Sequence, residues 1–221
     1  GPCGAAVSEL WAPGRVGDTD AMASEIDTPV GTARLHLSPA PRPRALLLLA
    51  HGANGGIASV ELAAFADQLP GRGISVARFE QPYAVAGRGI APVAQLDAAW
   101  EAALAVVRRL NPELPLFSGG RSNGARVACR NFGADQAGLV LSAFPLHPPG
   151  RPDRSRIAEL APVAGQALVL QTEGDPFGGA DELLAALAGQ QAALAELYRI
   201  PGRSHGPDTR TLAGRTALPG L

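Results

Sequence analysis

The sequence contains no lysine; all 19 of its basic residues are arginine. An amine nucleophile is therefore missing, which excludes Schiff-base aldolases, pyridoxal-phosphate enzymes and the lysine-dependent phosphate loop. Cysteine is also scarce, since Cys3 and Cys129 are too few for a disulfide scaffold and lack the spacing of a zinc site. A formal net charge of −1 gives no sign of the basic surface that nucleic-acid binding requires.

Long apolar runs are missing as well. No stretch of roughly 18 or more apolar residues occurs and no signal-peptide core is recognisable, so we expect a cytoplasmic protein that does not bind membranes. The sole methionine is Met22, and the Gly-, Ala- and Pro-rich segment before it has no periodicity. We predict that residues 1–21 are a non-native or flexible N-terminal tail and that residues 22–221 form a single domain.

What the sequence does contain is a series of short apolar segments that alternate between the strand period and the helix period. Apolar residues make up 46% of the chain and charged residues 18%, as in a folded globular protein. Strand patterns occupy residues 25–28, 31–37, 45–50, 74–79, 114–118, 138–142, 167–171 and 197–200. Helix patterns occupy residues 59–69, 93–110, 123–132 and 180–187. This alternation predicts an α/β fold, with a mostly parallel, twisted sheet covered by helices on both faces.

One motif lies between a predicted strand and a predicted helix. The segment 119–125, Gly-Gly-Arg-Ser-Asn-Gly-Ala, contains G-x-S-x-G in the strand–turn–helix context of a nucleophile elbow, with Ser122 at the sharp turn. At Gly120 and Gly124 a side chain would collide with the adjacent strand or helix. The helix would also direct its free N–H groups and positive dipole at the site. Ser122 is therefore the predicted nucleophile, and Arg121 beside it is expected to be solvated.

A glycine-rich loop, His-Gly-Ala-Asn-Gly-Gly at residues 51–56, follows the apolar strand 45–50. In this architecture such a loop supplies one backbone N–H to a developing oxyanion, and the residue after the nucleophile supplies the other. We therefore predict the N–H groups of Ala53 and Asn123 as the two donors. The alternative, a phosphate-binding glycine loop, lacks both the G-x-G-x-x-G spacing and a lysine.

A serine hydroxyl needs a base, and the four histidines of the chain differ in their surroundings. His205 lies in a loop after the last predicted strand, where the base of this arrangement belongs, and it is the predicted base. His36 lies within a short strand and is interpreted as a surface residue. His51 is interpreted as shaping the glycine-rich loop, and His147, in a proline-rich loop, as a candidate pocket residue.

The orienting acid is expected after a strand that lies between the nucleophile and the base in the chain. Asp175 follows the predicted strand 167–171, and its carboxylate would hold the imidazole tautomer and stabilise the imidazolium. Glu173 is the alternative. Three further acids fit less well: Asp181, Glu182 and Asp208. The chain order of serine, aspartate and histidine is that of α/β-hydrolases and differs from the chymotrypsin and subtilisin orders.

Taken together, these segments resemble a small α/β-hydrolase of the dienelactone-hydrolase-like kind, and most of all the branch of KANSL-three and testis-expressed-thirty-like hydrolases. The matching segments are LLLLAHGANGG at 46–56, RFEQPYAVAGR at 78–88, GGRSNGARVA at 119–128, LVLSAFPLHPPGRPDRSR at 139–156, LQTEGDPFG at 170–178 and GRSHG at 202–206. The resemblance implies an α/β-hydrolase fold without a lid domain, and it supports the same triad and oxyanion donors. Typical dienelactone hydrolases have a cysteine nucleophile, so the serine of this chain favours ordinary esters.

The expected activity is hydrolysis of a small acyl ester, thioester or lactone through an acyl-enzyme, without a metal or a cofactor. Two alternatives remain: an acyltransferase or lyase-type biosynthetic enzyme that uses the same site, and a non-catalytic protein on the same fold. The expected partner is a small acyl substrate, and the protein is expected to be a monomer or a homodimer. Loop positions nominate five residues for a small substrate pocket: Asn54, Tyr83, Phe144, Leu146 and His147.

Overall fold

The computed structural model describes residues 23–54 and 56–207, so the prediction for residues 1–21 lies outside the described residues. Eight strands are present in this part of the chain: β1 Ala23–Thr28, β2 Gly31–Ser38, β3 Ala45–Ala50, β4 Ile74–Glu80, β5 Leu116–Arg121, β6 Gly138–Ser142, β7 Ala167–Thr172 and β8 Glu196–Ile200. The described α-helices are α1 Val60–Gln68, α2 Pro82–Val85, α3 Val93–Leu110, α4 Asn123–Arg130, α5 Ile157–Leu160 and α6 Ala180–Gly189.

All eight strands belong to one sheet, in the order β1-β2-β4-β3-β5-β6-β7-β8. β2 pairs antiparallel with β1 and with β4, and the strands from β3 to β8 are parallel to one another. The predicted mostly parallel sheet is therefore confirmed. Because parallel strands share one direction, their carboxyl ends meet at one edge of the sheet, and the loops that leave this edge are where ligands bind in such folds.

Both faces of the sheet are covered by helices. Every residue of β3 is buried, and its side chains alternate: Leu46 and Leu48 enter the larger core cluster, whereas Leu47 and Leu49 enter the smaller one. The helices α3, α4, α5 and α6 contribute apolar side chains to the larger cluster, and α1 contributes to the smaller cluster. No helix in the described ranges is both long and apolar enough to cross a bilayer.

The strand that leads to the nucleophile differs from its prediction. It was predicted over 114–118 but runs from Leu116 to Arg121, through two glycines that lower the strand propensity of the segment. These glycines are required by close packing, because a Cβ at Gly119 would overlap the backbone of Val140 in β6, and one at Gly120 would overlap that of Ala50 in β3. The short helices α2 and α5 were not predicted, since four residues are too few for a periodic pattern.

Candidate active site

Ser122 occupies a strained turn between β5 and α4. Its backbone has φ 53° and ψ −114°, a region that residues with a side chain rarely adopt. The Ser122 N–H donates to the carbonyl of Ser142 at the end of β6, 2.9 Å away, which ties the turn to the sheet. A Cβ at Gly124 would overlap the backbone of Ala50, so α4 approaches β3 closely only because this residue is glycine. The turn therefore has the geometry that the motif predicts.

The structure brings together the three residues that the sequence nominated for catalysis. Nε2 of His205 lies 2.8 Å from Oγ of Ser122, and its Nδ1 lies 2.9 Å from Oδ2 and 3.0 Å from Oδ1 of Asp175. The Asp175 side chain has no exposed surface, whereas 18% of the His205 side chain is accessible. The hydroxyl, the imidazole and the carboxylate thus form one continuous hydrogen-bonded chain.

The pairing of β7 with β8 places Asp175 beside His205. Past the strands, the Glu173 N–H donates to the Ile200 carbonyl and the Gly174 N–H to the Gly202 carbonyl, each over 2.9 Å. These bonds hold the two loops that follow β7 and β8 side by side. Glu173, the alternative acid, is exposed, and in the described part of the chain it is Asp175 that bonds to the His205 imidazole.

Phe177 is a site residue that the sequence analysis did not identify. Its ring stacks on the His205 imidazole, with centroids 4.1 Å apart and planes inclined by 29°. Its N–H donates to Oδ1 of Asp175 over 2.8 Å. One residue thus fixes both the orientation of the acid and the plane of the base. The Asp-Pro-Phe-Gly segment was noted only for its resemblance, and no general motif assigns a role to an aromatic residue two positions after the acid.

The loop after β3 lies against the nucleophile. A Cβ at Gly52 would come within 3.4 Å of the Ser122 Cβ. Ala53 follows in this loop, and Asn123 is the first residue of α4, whose N–H has no acceptor within the helix. The two predicted oxyanion donors therefore belong to segments that meet at Ser122.

His51 and Tyr83 hold this loop in place. Nδ1 of His51 lies 2.7 Å from the Gly52 carbonyl, and Nε2 lies 3.1 Å from the Gln81 N–H. Since the carbonyl only accepts and the N–H only donates, hydrogen resides on Nδ1 and the ring is neutral. Burial lowers the pKa of His51, which agrees with a neutral ring. The Tyr83 hydroxyl donates to the Ala53 carbonyl over 3.4 Å. His51 therefore shapes the loop, as the sequence suggested.

Three of the five predicted pocket residues are corrected by their burial. Phe144 has no accessible surface, and Leu146 is 2% exposed; both belong to the larger core cluster, so neither can line an open pocket. His147 is buried, with its ring nitrogens 2.8 Å from the Pro148 carbonyl and 2.9 Å from Oε1 of Glu182. Both ring nitrogens are therefore engaged in contacts that attach the proline-rich loop to itself and to α6.

The other two pocket residues lie near the site. Asn54 is exposed in the loop after β3. Tyr83 lines a cleft of about 490 Å³ between the β1–β2 turn and the segment after α2. Ser122 is not among the residues that line this cleft. Among the described residues, no group of three or more His, Cys, Asp or Glu side chains is arranged to hold a metal ion.

Known structures share this arrangement of strands and helices. The chain is similar to an alpha-beta serine hydrolase homologue from Coxiella burnetii, with a TM-score of 0.73 and 16% identity over 90% of this chain and 95% of that chain. It is similar to an a/b serine hydrolase without lid from Xanthomonas campestris, with a TM-score of 0.66 and 23% identity over 87% and 88% of the two chains. A thermostable carboxyl esterase from Bacillus coagulans gives a TM-score of 0.64 and 12% identity over 81% and 89%. At these identities the likeness concerns the fold.

The sequence itself matches a family model. No curated protein matches the chain. The model described as an alpha/beta hydrolase domain, however, matches residues 43–218, which is most of the chain and includes every segment around Ser122. The protein therefore belongs to the alpha/beta hydrolase domain family, with a mostly parallel sheet, helices on both faces and no lid domain in the described residues.

Proposed function

We propose that this protein is a serine hydrolase that cleaves a small carboxylic ester through an acyl-enzyme on Ser122. The observation that carries the proposal is the continuous hydrogen-bonded chain from Ser122 through His205 to the buried Asp175. An ionised carboxylate only accepts hydrogen bonds, so the hydrogen between Asp175 and His205 belongs to Nδ1. Nε2 is then free to accept the serine proton, which is the tautomer that a general base requires.

The reaction follows from this tautomer. Oγ of Ser122 attacks the acyl carbonyl while its proton passes to Nε2 of His205, and the carboxylate of Asp175 stabilises the imidazolium. The imidazolium then donates that proton to the departing alkoxide, the ester C–O bond breaks, and the acyl group remains on Ser122. A water molecule repeats the sequence: it loses a proton to Nε2, attacks the acyl-enzyme, and the proton returns to Oγ as the acid leaves.

The charge of each tetrahedral intermediate needs two fixed donors. The N–H of Asn123 at the start of α4 and the N–H of Ala53 are our candidates, since their segments meet at Ser122. Loss of one such donor typically costs ~3 kcal/mol of transition-state stabilisation. The bonds of His51 to the Gly52 carbonyl and of Tyr83 to the Ala53 carbonyl occupy these two acceptors and hold the loop that carries the Ala53 N–H.

We further propose that the protein lies in the dienelactone-hydrolase-like branch similar to the KANSL-three and testis-expressed-thirty-like hydrolases. Two branch-specific segments, 144–150 and 175–178, support this assignment, and they contact each other both directly and through the side chain of Gln171, which also bonds to the backbone of Phe144. The His147 N–H donates to the Phe177 carbonyl over 3.0 Å, and Gln171 Nε2 donates to the Gly178 carbonyl over 2.7 Å. A serine in place of the cysteine of typical dienelactone hydrolases favours ordinary esters as substrates.

Intact-mass labelling with a fluorophosphonate tests the proposal. We expect one adduct on the wild-type protein and none on folded Ser122→Ala, because only an activated serine attacks this probe. The absence of an adduct on folded wild type would overturn the proposal and favour a non-catalytic protein on the same fold. A panel of p-nitrophenyl esters, thioesters and lactones then defines the acyl group.

The acyltransferase alternative makes a different prediction for the same acyl-enzyme. With p-nitrophenyl acetate as donor, we expect water to take the acyl group even when a millimolar alcohol or thiol is added. Dominant transfer to the added acceptor, measured by mass spectrometry of the products, would favour the acyltransferase over the hydrolase.

A further inference from the structure

An ion pair with a buried carboxylate adjoins Ser122 and takes no part in the proposed triad. Glu61, in the first turn of α1, is 3% exposed, and its Oε1 lies 2.7 Å from Nε of Arg121. The Ser142 hydroxyl donates to the same oxygen over 3.3 Å. A buried carboxylate is costly unless it is paired and hydrogen-bonded, as Glu61 is here. Arg121, which the sequence suggested to be solvated, is thus the partner of a buried acid.

The same guanidinium also reaches the loop of the base. Nη2 of Arg121 donates to the backbone carbonyl of His205 over 2.7 Å. The next residue, Gly206, packs against the pair: a Cβ there would lie 3.2 Å from Oε1 of Glu61 and 3.6 Å from Nε of Arg121. With φ 83°, Gly206 adopts a conformation that other residues rarely adopt, so this close approach depends on glycine.

The third nitrogen of the guanidinium faces the oxyanion loop. A Cβ at Gly52 would lie 3.1 Å from Nη1 of Arg121, which places the planar group against the segment that carries Ala53. One side chain therefore bonds to Glu61 of α1 through Nε and to the His205 loop through Nη2, while its Nη1 lies close to Gly52 of the oxyanion loop. The His205 loop is far in the sequence from α1 and the oxyanion loop, which are consecutive, and Arg121 itself adjoins Ser122.

We propose that Arg121, held in place by Glu61, is a positioning residue that sets the distance between His205 and Ser122. The inference rests on the proposed function, because the distance matters only if His205 takes the Ser122 proton. The His205 loop follows β8, which is at the edge of the sheet, and residues 201–204 of the loop are exposed. A bond to its backbone from the nucleophile turn couples the base directly to the group it must deprotonate. Misplacement by about 1 Å costs on the order of 10²-fold in rate.

The test compares Arg121→Gln and Arg121→Lys with Asp97→Asn. Asp97→Asn breaks another arginine–carboxylate pair, the bidentate contact of Arg130 with Asp97 between α3 and α4, with bonds of 2.7 Å and 3.1 Å. Lysine keeps the positive charge for Glu61 but lacks the planar fork that spans the three contacts. Each protein is assayed for the saturation kinetics of fluorophosphonate labelling, for Tm and for far-UV circular dichroism.

We expect the maximal labelling rate constant to fall at least about 10-fold in both Arg121 variants, with the probe concentration at half saturation unchanged within about twofold. Asp97→Asn is expected to lower Tm while its labelling constants stay at the wild-type values. Wild-type labelling constants in a folded Arg121 variant overturn the inference, as does loss of fold in both variants, which would make the pair structural only. A wild-type protein that takes no label contradicts the proposed function instead, so the two failures are distinguishable.

Discussion

At the scale of one residue, the carboxylate of Asp175 decides which nitrogen of His205 carries hydrogen. Oδ1 accepts from the Phe177 N–H over 2.8 Å, and Oδ2 is 2.9 Å from Nδ1 of His205. In Asp175→Asn the amide oxygen stays with the Phe177 N–H, because that partner only donates, and the amide NH₂ then faces Nδ1. Nδ1 must accept, the hydrogen moves to Nε2, and the ring can no longer take the Ser122 proton.

We therefore expect the fluorophosphonate labelling rate of Asp175→Asn to fall about 10⁴-fold while Tm changes little. Asp153→Asn, an exposed acid outside the site, serves as the control and is expected to label like wild type. A loss smaller than about tenfold would show that another group orients His205.

The stacking of Phe177 on His205 predicts a smaller effect. Aromatic contacts of this kind contribute about 0.5–1.5 kcal/mol beyond buried area, so Phe177→Leu is expected to slow labelling about 2–10-fold. Leucine keeps the backbone bond to Asp175 but lets the imidazole plane rotate. The control is Phe132→Leu, a half-buried phenylalanine next to the larger core cluster, which is expected to lower Tm without slowing labelling. Equal labelling rates in the two variants would contradict a role for the stack.

At the scale of elements, the approach of α4 to β3 depends on Gly124. A Cβ there would lie 2.6 Å from the carbonyl carbon of Ala50, and relieving this overlap would require β3 to leave the sheet or α4 to widen the turn at Ser122. We expect Gly124→Ala to destabilise the protein by about 3 kcal/mol or more, measured by urea unfolding. Gly189→Ala, at the end of α6, has open space around the new methyl group and is expected to change stability by no more than about 1 kcal/mol, in the stabilising direction. Similar losses in both variants would mean that the elbow tolerates a wider turn.

The same elements show what the sequence could and could not predict. Continuous apolar strands such as β3 and the long amphipathic α3 follow from periodicity, because burial determines both the pattern and the element. The nomination of Ser122 depended on local context, a strand, a tight turn and a helix, whereas Asp175 and His205 were nominated from their places after predicted strands and from their order in the chain. Phe177 and Glu61 were not identified, because their roles arise from contacts between segments that are distant in the chain. The assignment of Phe144 and Leu146 to the substrate pocket was wrong for a related reason, because the position of a residue in a loop does not reveal whether it is buried.

At the scale of the whole molecule, His51 links stability to pH. Burial lowers the pKa of His51 below its ordinary value of 6.5 in the folded protein. As pH falls below 6.5, the ring of His51 therefore binds a proton in the unfolded chain but stays neutral in the folded chain. The contribution of His51 to stability is complete above pH 6.5 and is lost progressively below it.

We expect the free energy of unfolding to fall by up to about 1.4 kcal/mol per pH unit below pH 6.5 from this residue alone. His51→Gln lacks the titrating ring, so the difference in unfolding free energy between wild type and variant should shrink as pH falls. Urea unfolding at several values between pH 7.5 and 5.5 measures that difference. A difference that stays constant over this range would mean that His51 titrates alike in both states.

The reactivity of Cys129 measures whether α4 opens locally while the rest of the molecule stays folded. The thiol lies in α4 and belongs to the larger core cluster, which also holds Trp100 of α3 and the Leu48 side chain of β3. Burial raises the pKa of Cys129 far above its usual range, and only the thiolate reacts with alkylating reagents. We therefore expect the native thiol to react very slowly, so that labelling requires exposure. Since the cluster spans several strands and helices, we expect exposure to require unfolding of the whole cluster.

Peptide-resolved mass spectrometry of Cys129 after treatment with N-ethylmaleimide measures this exposure. In rising urea, the logarithm of the labelling rate should increase with the slope that equilibrium unfolding gives, because both events expose the same surface. The rate in full denaturant calibrates the intrinsic reactivity of the thiol. A much shallower slope, or rapid labelling without urea, would instead reveal local opening of α4. That outcome would show that the turn around Ser122, which lies between β5 and α4, can open while the sheet stays folded.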